Sequence, residues 1–199
     1  GNVAQRREHD KRISAGTMSR SGAKCPCCPS IMTMEDIRVE GKASKLGTVM
    51  TAVVVDTPQG KAYRIPTKHE LSAAIPTPEQ VESAFTDVPF GLPDEPTPAG
   101  GGSGAGRAFS VQGYGLMKWR DLFTSRQLTA LGSFVTATRA VQDEMATSQY
   151  SADWIEAVGA FQALVIGRTA NYMSTVCLWD SAAEEVKQTF LRFALPITW

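Results

Sequence analysis

Hydrophobic and polar positions follow two different rhythms along this chain. In the first half, residues 31–39 alternate loosely, 48–55 are rich in β-branched side chains, and 61–65 alternate around Tyr63. A period near two predicts half-buried strands. Asp56-Thr57-Pro58-Gln59-Gly60 carries turn chemistry between the last two segments, so these are expected to pair as a hairpin. Thr67 stands three residues before Glu70, and Thr77 three before Gln80 with Pro78 between them. Each pair predicts a helix start, because a threonine oxygen can accept a free backbone N–H while Glu or Gln reaches back. Pro76 and Pro89 keep both helices short.

From residue 109 onward the rhythm turns helical. Thr124 and Gln127 form a capping box, with Phe123 and Leu128 placed to pack as a hydrophobic staple. Leu128, Leu131, Phe134, Val135, Val141 and Met145 then recur at helical spacing. Ser151 opens a second helix with Trp154, Ile155, Val158, Phe161, Val165 and Tyr172 on one face. Ser181 and Glu184 make another capping box, which predicts a third helix through Val186, Phe190 and Phe193 that Pro196 ends. Three amphipathic helices on short connections imply an antiparallel bundle. The expected fold class is α+β, a small antiparallel sheet followed by that bundle.

Between the halves lies a break. Pro89, Pro93, Pro96 and Pro98 precede a glycine run from Gly100 to Gly106. A glycine run can cradle phosphate where it joins a strand to a helix, but no apolar strand precedes this one and no Lys-Ser/Thr follows it. It reads as a linker or surface loop. The chain is therefore divided into 1–88, a linker at 89–108, and a helical part at 109–199. Residues 1–23 are polar and unpatterned, and read as a solvated or frayed terminus. The end, Leu195-Pro196-Ile197-Thr198-Trp199, is apolar and aromatic, so the chain is expected to be a piece of a larger protein.

Composition narrows the function classes. Hydrophobic residues make up 43% of the 199, enough for a sizeable core, and 20 basic residues balance 20 acidic ones. A free-standing nucleic-acid binder depends on cationic excess to neutralise phosphates. Any DNA contact is therefore expected to be local or to involve attached domains. No apolar run approaches the roughly 18 residues that span a bilayer. Three of the four cysteines are clustered, which does not make a secreted disulfide framework. A cytoplasmic location fits best, with no membrane partner.

The cluster is Cys25-Pro26-Cys27-Cys28-Pro29. Cys25 and Cys28 have the C-x-x-C spacing of a zinc knuckle and are the candidate metal ligands, with Cys27 a competitor thiol. Tetrahedral zinc takes four ligands, and no second C-x-x-C exists here. His9 and His69 are distant and unpaired. A site completed within the chain, zinc shared between two copies, and a metal-free knuckle all stay open, the last being favoured. Cys177, between Val176 and Leu178, reads as a buried inert thiol. No Gly-x-Ser-x-Gly elbow occurs, and Glu35-Asp36 and Glu184-Glu185 lack the look of an acid–base dyad. No catalytic or cofactor-binding residue is assigned. The stretch from Tyr114 to Phe123 interleaves aromatic and basic side chains. Lys118, Trp119 and Arg120, with Arg126, are weak candidates for nucleic-acid contact, against the alternative that the aromatics pack inward and the cations face water.

Three stretches carry a resemblance. The first runs from Gly16 through Cys25, Cys27 and Cys28, followed by Ile37-Arg38-Val39-Glu40-Gly41-Lys42. The second runs from Tyr114 through Trp119 to Leu128, and the third from Phe193 to Trp199. In this order they resemble the adenine-specific DNA methylases that contain a zinc ribbon. The resemblance implies an insertion within the methyltransferase region, with the first knuckle and the cofactor-binding glycine motif upstream and an Asp-Pro-Pro-Tyr motif downstream. Neither of the last two motifs occurs here. The resemblance implies that Cys25 and Cys28 are ligands of a truncated zinc ribbon. It also implies a non-catalytic role in supporting DNA binding or bracing the catalytic domain. The parent would be an S-adenosylmethionine-dependent enzyme of a restriction-modification or anti-phage type, with DNA and the remaining methyltransferase domain as partners. A module docking a partner subunit through its helical face is the alternative, and a small enzyme using Cys177 a third.

Overall fold

A computed structural model describes residues 2–14, 17–19, 22–100, 110–180 and 183–189. The class is mixed α+β, with small antiparallel sheets and six α-helices among the described residues. The chain divides into two compact units. One holds the described residues up to Leu46 and those from Thr97 to Met117; the other holds those from Gly47 to Pro96 and from Lys118 on.

The first unit begins with α1 (Val3–Ser14), where a frayed terminus was expected. Asn2 and Gln5 cap it reciprocally: each backbone N–H donates to the other's side-chain oxygen, at 3.0 and 2.9 Å. The helix has no apolar stripe, which is why periodicity does not reveal it. Strands β1 (Met18–Ser19), β2 (Gly22–Lys24) and β3 (Ile31–Met32) follow, β2 pairing antiparallel with both neighbours. The strand expected over 31–39 stops at Met32. Thr33 and Asp36 form a capping box, the Asp36 carboxylate accepting the Thr33 N–H at 2.8 Å, and α2 (Met34–Lys42) begins. Ile37 on α2 packs with Ala23 and Tyr114 as a small core, flanked by Met18 and Met34. Tyr114 belongs to a 3-10 turn, Val111–Tyr114. The Arg38 guanidinium lies 5.7 Å from its ring centroid.

In the second unit, β4 (Val53–Thr57) and β5 (Gly60–Arg64) form the expected hairpin around Pro58-Gln59. Helices α3 (Lys68–Ala73) and α4 (Pro78–Ala84) start at the expected caps, Thr67 and Thr77, each with a complete capping box. Val81 and Phe85 meet Leu128 in the core, and Phe123 packs beside them as the staple predicts. Residues 93–96, within the expected linker, are tied to the next segment: Trp119 N–H donates to Glu95 O at 3.1 Å and Arg120 N–H to Pro93 O at 3.0 Å. A 3-10 turn, Trp119–Leu122, leads to α5 (Ser125–Thr147), capped at Thr124, and α6 (Ala152–Tyr172), capped at Ser151. These two pack as a hairpin, and α4 packs on α5 at Gly132, where an added Cβ would stand 2.6 Å from the Ala84 carbonyl oxygen.

The third helix is corrected. Trp179–Asp180 (β6) and Glu185–Val186 (β7) pair antiparallel instead. Glu184 has φ of +49°, in the left-handed region that a right-handed helical turn excludes. Tyr63 O–H donates to the Glu184 carboxylate at 2.9 Å, Lys61 Nζ donates to its carbonyl, and the Tyr63 and Trp179 rings meet edge to face at 6.1 Å. These contacts with the β4–β5 hairpin hold the turn against its local helix signal. Ser181, Phe190, Phe193 and Pro196 lie outside the described residues.

Candidate functional site

Cys25 follows β2, and its N–H donates to the Ser30 carbonyl at 2.9 Å, which closes the cysteine loop. Inside the loop, the Cys27 N–H points at Cys25 Sγ, 3.4 Å away. Cys25 is half-buried, Cys27 and Cys28 are exposed, and none of the three is in a disulfide. Hydrogen bonds from the Ser30 side chain and backbone, and then from Cys25, hold the Cys28 thiol below its usual pKa. The depressed pKa at Cys28 favours its thiolate, the form that binds metals and reacts with electrophiles.

The donor set is incomplete. Among the described residues, no group of three or more His, Cys, Asp or Glu side chains is placed to hold a metal ion. Among the described residues, neither His9 nor His69 joins Cys25 and Cys28 in such a group.

Of the basic–aromatic segment, the part from Lys118 to Phe123 belongs to the second unit. Lys118 Nζ stands 3.2 Å from one Asp94 oxygen and Arg120 Nε 3.0 Å from the other. One carboxylate thus bridges both cations, and the Asp121 carboxylate accepts the Lys118 N–H at 2.8 Å. Trp119 is half-buried, with its N–H engaged by Glu95. Arg126 is exposed in the first turn of α5, apart from this cluster in sequence and on a different element. The segment accordingly carries little surplus charge for phosphates. Asp94 could not be singled out from sequence, since it stands 24 residues before Lys118 in the proline-rich stretch.

Cys177 is half-buried in a hydroxyl-lined cluster and not in an apolar setting. Its Sγ lies 3.4 Å from both Ser174 Oγ and Thr189 Oγ1. Thr189 and Ser174 are themselves joined at 2.7 Å and buried. Among the described residues, no imidazole or carboxylate hydrogen-bonds this sulfur.

An apolar surface without an assigned role lies on the α5–α6 hairpin. Phe134 and Val141 on α5, and Trp154, Phe161, Leu164 and Val165 on α6, are all exposed. Periodicity predicts such stripes but gives no sign of whether anything covers them. Among the described residues, no helix is long and apolar enough to cross a membrane. The sequence matches no family model, no curated protein and no solved structure.

Proposed function

We propose that this chain is a non-catalytic region of an S-adenosylmethionine-dependent DNA adenine methyltransferase. Its role is to brace the catalytic domain, or support its hold on DNA, through a shared metal knuckle. The three ordered stretches that resemble zinc-ribbon DNA methylases support the family. The observation that carries the role is the cysteine loop, with Cys27 N–H on Cys25 Sγ and the Cys28 thiol depressed at the position of the expected knuckle. Cys25 and Cys28 would hold zinc as thiolates, and the other two ligands would come from beyond the described residues. Zinc here would supply a crosslink between segments rather than chemistry. The finer fold reading, a truncated ribbon plus a helical bundle, belongs to this proposal.

Cobalt(II) titration of the chain tests it. A thiolate-to-metal absorption that disappears in the Cys25→Ser, Cys28→Ser double variant is expected, together with no calorimetric heat from S-adenosylmethionine. Stoichiometric cofactor binding, or cobalt absorption unchanged by the double variant, overturns it. A gel shift with duplex DNA across a salt series tests direct DNA contact. The Asp94 bridge predicts weak binding that strengthens in Asp94→Asn, with a salt slope steeper by about one to two.

A second reading is favoured by a separate observation. The exposed apolar face of α5–α6 fits a protein-interaction module acting through its helices.

A further inference from the structure

The helical hairpin α5–α6 carries an apolar face together with a segregated charge pattern, and the two point to the same occupant. Phe161, Leu164 and Trp154 are 72%, 70% and 64% exposed. Phe134 and Val141 of α5 and Phe161 and Val165 of α6 border a groove of about 470 Å³ between the helices. Two helices of about 30 Å, roughly 10 Å apart, present a face near 600 Å², of the order that one partner contributes to a standard interface.

The charges on these two helices sort by distance from the connecting turn. Asp143 and Glu144 on α5 and Asp153 and Glu156 on α6 all lie within about two turns of it. Arg139, Arg126 and Arg168 all lie farther away. The hairpin therefore has an acidic turn end and, at Arg126 and Arg168, a basic open end, with Arg139 between the two. Helical phase places some of these charges at the rim of the apolar face. Arg126 and Glu144 are separated by 18 residues, five whole turns at about 3.6 residues per turn, so they leave α5 in the same direction. That direction is about 60° from Val141. On α6, Arg168 follows Phe161 and Leu164 at helical spacing, and Asp153 flanks the same stripe near the turn.

We propose that a second copy of this chain covers this face, packed antiparallel about a two-fold axis to make a four-helix bundle. A two-fold axis perpendicular to the helices sets the acidic end of one copy on the basic end of the other. Arg126 then faces Glu144 of the second copy, and Arg168 faces its Asp153. The midpoints of those pairs fall near Val135 on α5 and Phe161 on α6, at about 18 and 13 Å from the turn, within one helical turn of a common height. A parallel arrangement would instead stack like charges at both ends, which is repulsive. An isologous interface needs one self-complementary patch, and this face has that form. The proposal gives the interaction-module reading its partner and rests on that reading, independently of the methylase assignment.

Sedimentation velocity of the full chain across a concentration series is the test, with circular dichroism to check that each variant keeps its helices. The expected result is a concentration-dependent dimer that is lost in Phe161→Glu, Leu164→Glu. The open-end reversal Arg126→Glu, Arg168→Glu should weaken self-association about tenfold or more. Mixing it with the turn-end reversal Glu144→Arg, Asp153→Arg should restore a heterodimer. A dimer indifferent to the apolar variant, or a mixture that fails to associate, overturns the proposal. A chain monomeric at every concentration also overturns it. In that case, a partner retained by the wild type but not by Phe161→Glu, Leu164→Glu would leave the interaction module standing, and no such partner would remove both.

Discussion

Gly41 and Gly115 meet backbone to backbone. A Cβ built on Gly41 would stand 2.5 Å from the Tyr114 carbonyl oxygen, and one built on Gly115 would stand 2.2 Å from the Gly41 carbonyl oxygen. Gly115 also has φ of +85°, where a side chain costs about 1–2 kcal/mol before any clash. This contact is what lets α2 approach the turn that carries Tyr114 into the first unit's core. Gly115→Ala is therefore expected to destabilise by about 3 kcal/mol, and Gly41→Ala by about 2 kcal/mol, as sterically forced backbone shifts do. Urea unfolding read by near-ultraviolet circular dichroism checks both. A cost below about 0.5 kcal/mol at Gly115 would show that the contact opens freely.

Glu70 combines two jobs. Its carboxylate pairs with Arg64 at 2.6 and 2.7 Å and accepts the Thr67 N–H at 2.8 Å as the partner in the α3 capping box. Arg64, and then Thr67, hold its pKa well below the usual carboxylate range. A depressed folded value means a stabilising contribution that is complete above the unfolded pKa of about 4.3 and is lost as pH falls below it. Acid denaturation of the wild type should thus include a component that Glu70→Gln lacks. Carboxyl carbon NMR should place the Glu70 titration below that of ordinary glutamates. A normal titration would mean that the Arg64 pair does not persist in solution.

What sequence made legible here is what local chemistry decides. The boxes at Thr67, Thr77 and Thr124 are closed within four residues, so their pattern alone locates α3, α4 and α5. The box at Thr33 has the same form, but the alternation of 31–39 competes with it and points to a strand where α2 forms. Ser181 and Glu184 show the opposite failure. Their spacing promises a helix, yet Tyr63 and Lys61, more than 120 residues earlier, fix Glu184 in a left-handed turn. At the candidate sites, Cys25 and Cys28 were visible from spacing, whereas the neutralising role of Asp94 depends on a fold-made contact. The exposure of Phe161 and Leu164 was equally out of reach, since amphipathic periodicity is the same whether or not a partner covers it.

Tyr63 should report on the β6–β7 turn. Partial loss of hydration, and then the hydrogen bond and charge of Glu184, raise its pKa above the usual value of about 10. The neutral phenol is thus favoured by folding, so this contribution holds below the unfolded pKa and is lost as pH rises through the folded one. Absorbance titration of wild type minus Tyr63→Phe isolates the group. Its midpoint should fall in Glu184→Gln, which keeps a hydrogen-bond acceptor but removes the charge. An unmoved midpoint would leave hydration and the hydrogen bond as the causes and remove the charge.

The cysteine loop makes the last prediction. Cys28 is exposed and its thiol pKa is lowered first by the Ser30 side chain, next by the Ser30 backbone, and then by Cys25. More thiolate at neutral pH means faster alkylation, because the thiolate is the nucleophile. Mass-spectrometric mapping of limited iodoacetamide labelling near pH 7 should therefore find Cys28 modified well ahead of the half-buried Cys25. Ser30→Ala removes the leading cause and should slow labelling at Cys28 severalfold, with the rate-against-pH curve displaced upward in pH. The backbone contribution at residue 30 survives that substitution, so the rate should fall without vanishing. If Ser30→Ala leaves both the rate and its pH midpoint unchanged, the loop does not activate this sulfur. The thiolate pre-formation that favours metal at Cys28 would then lose its basis.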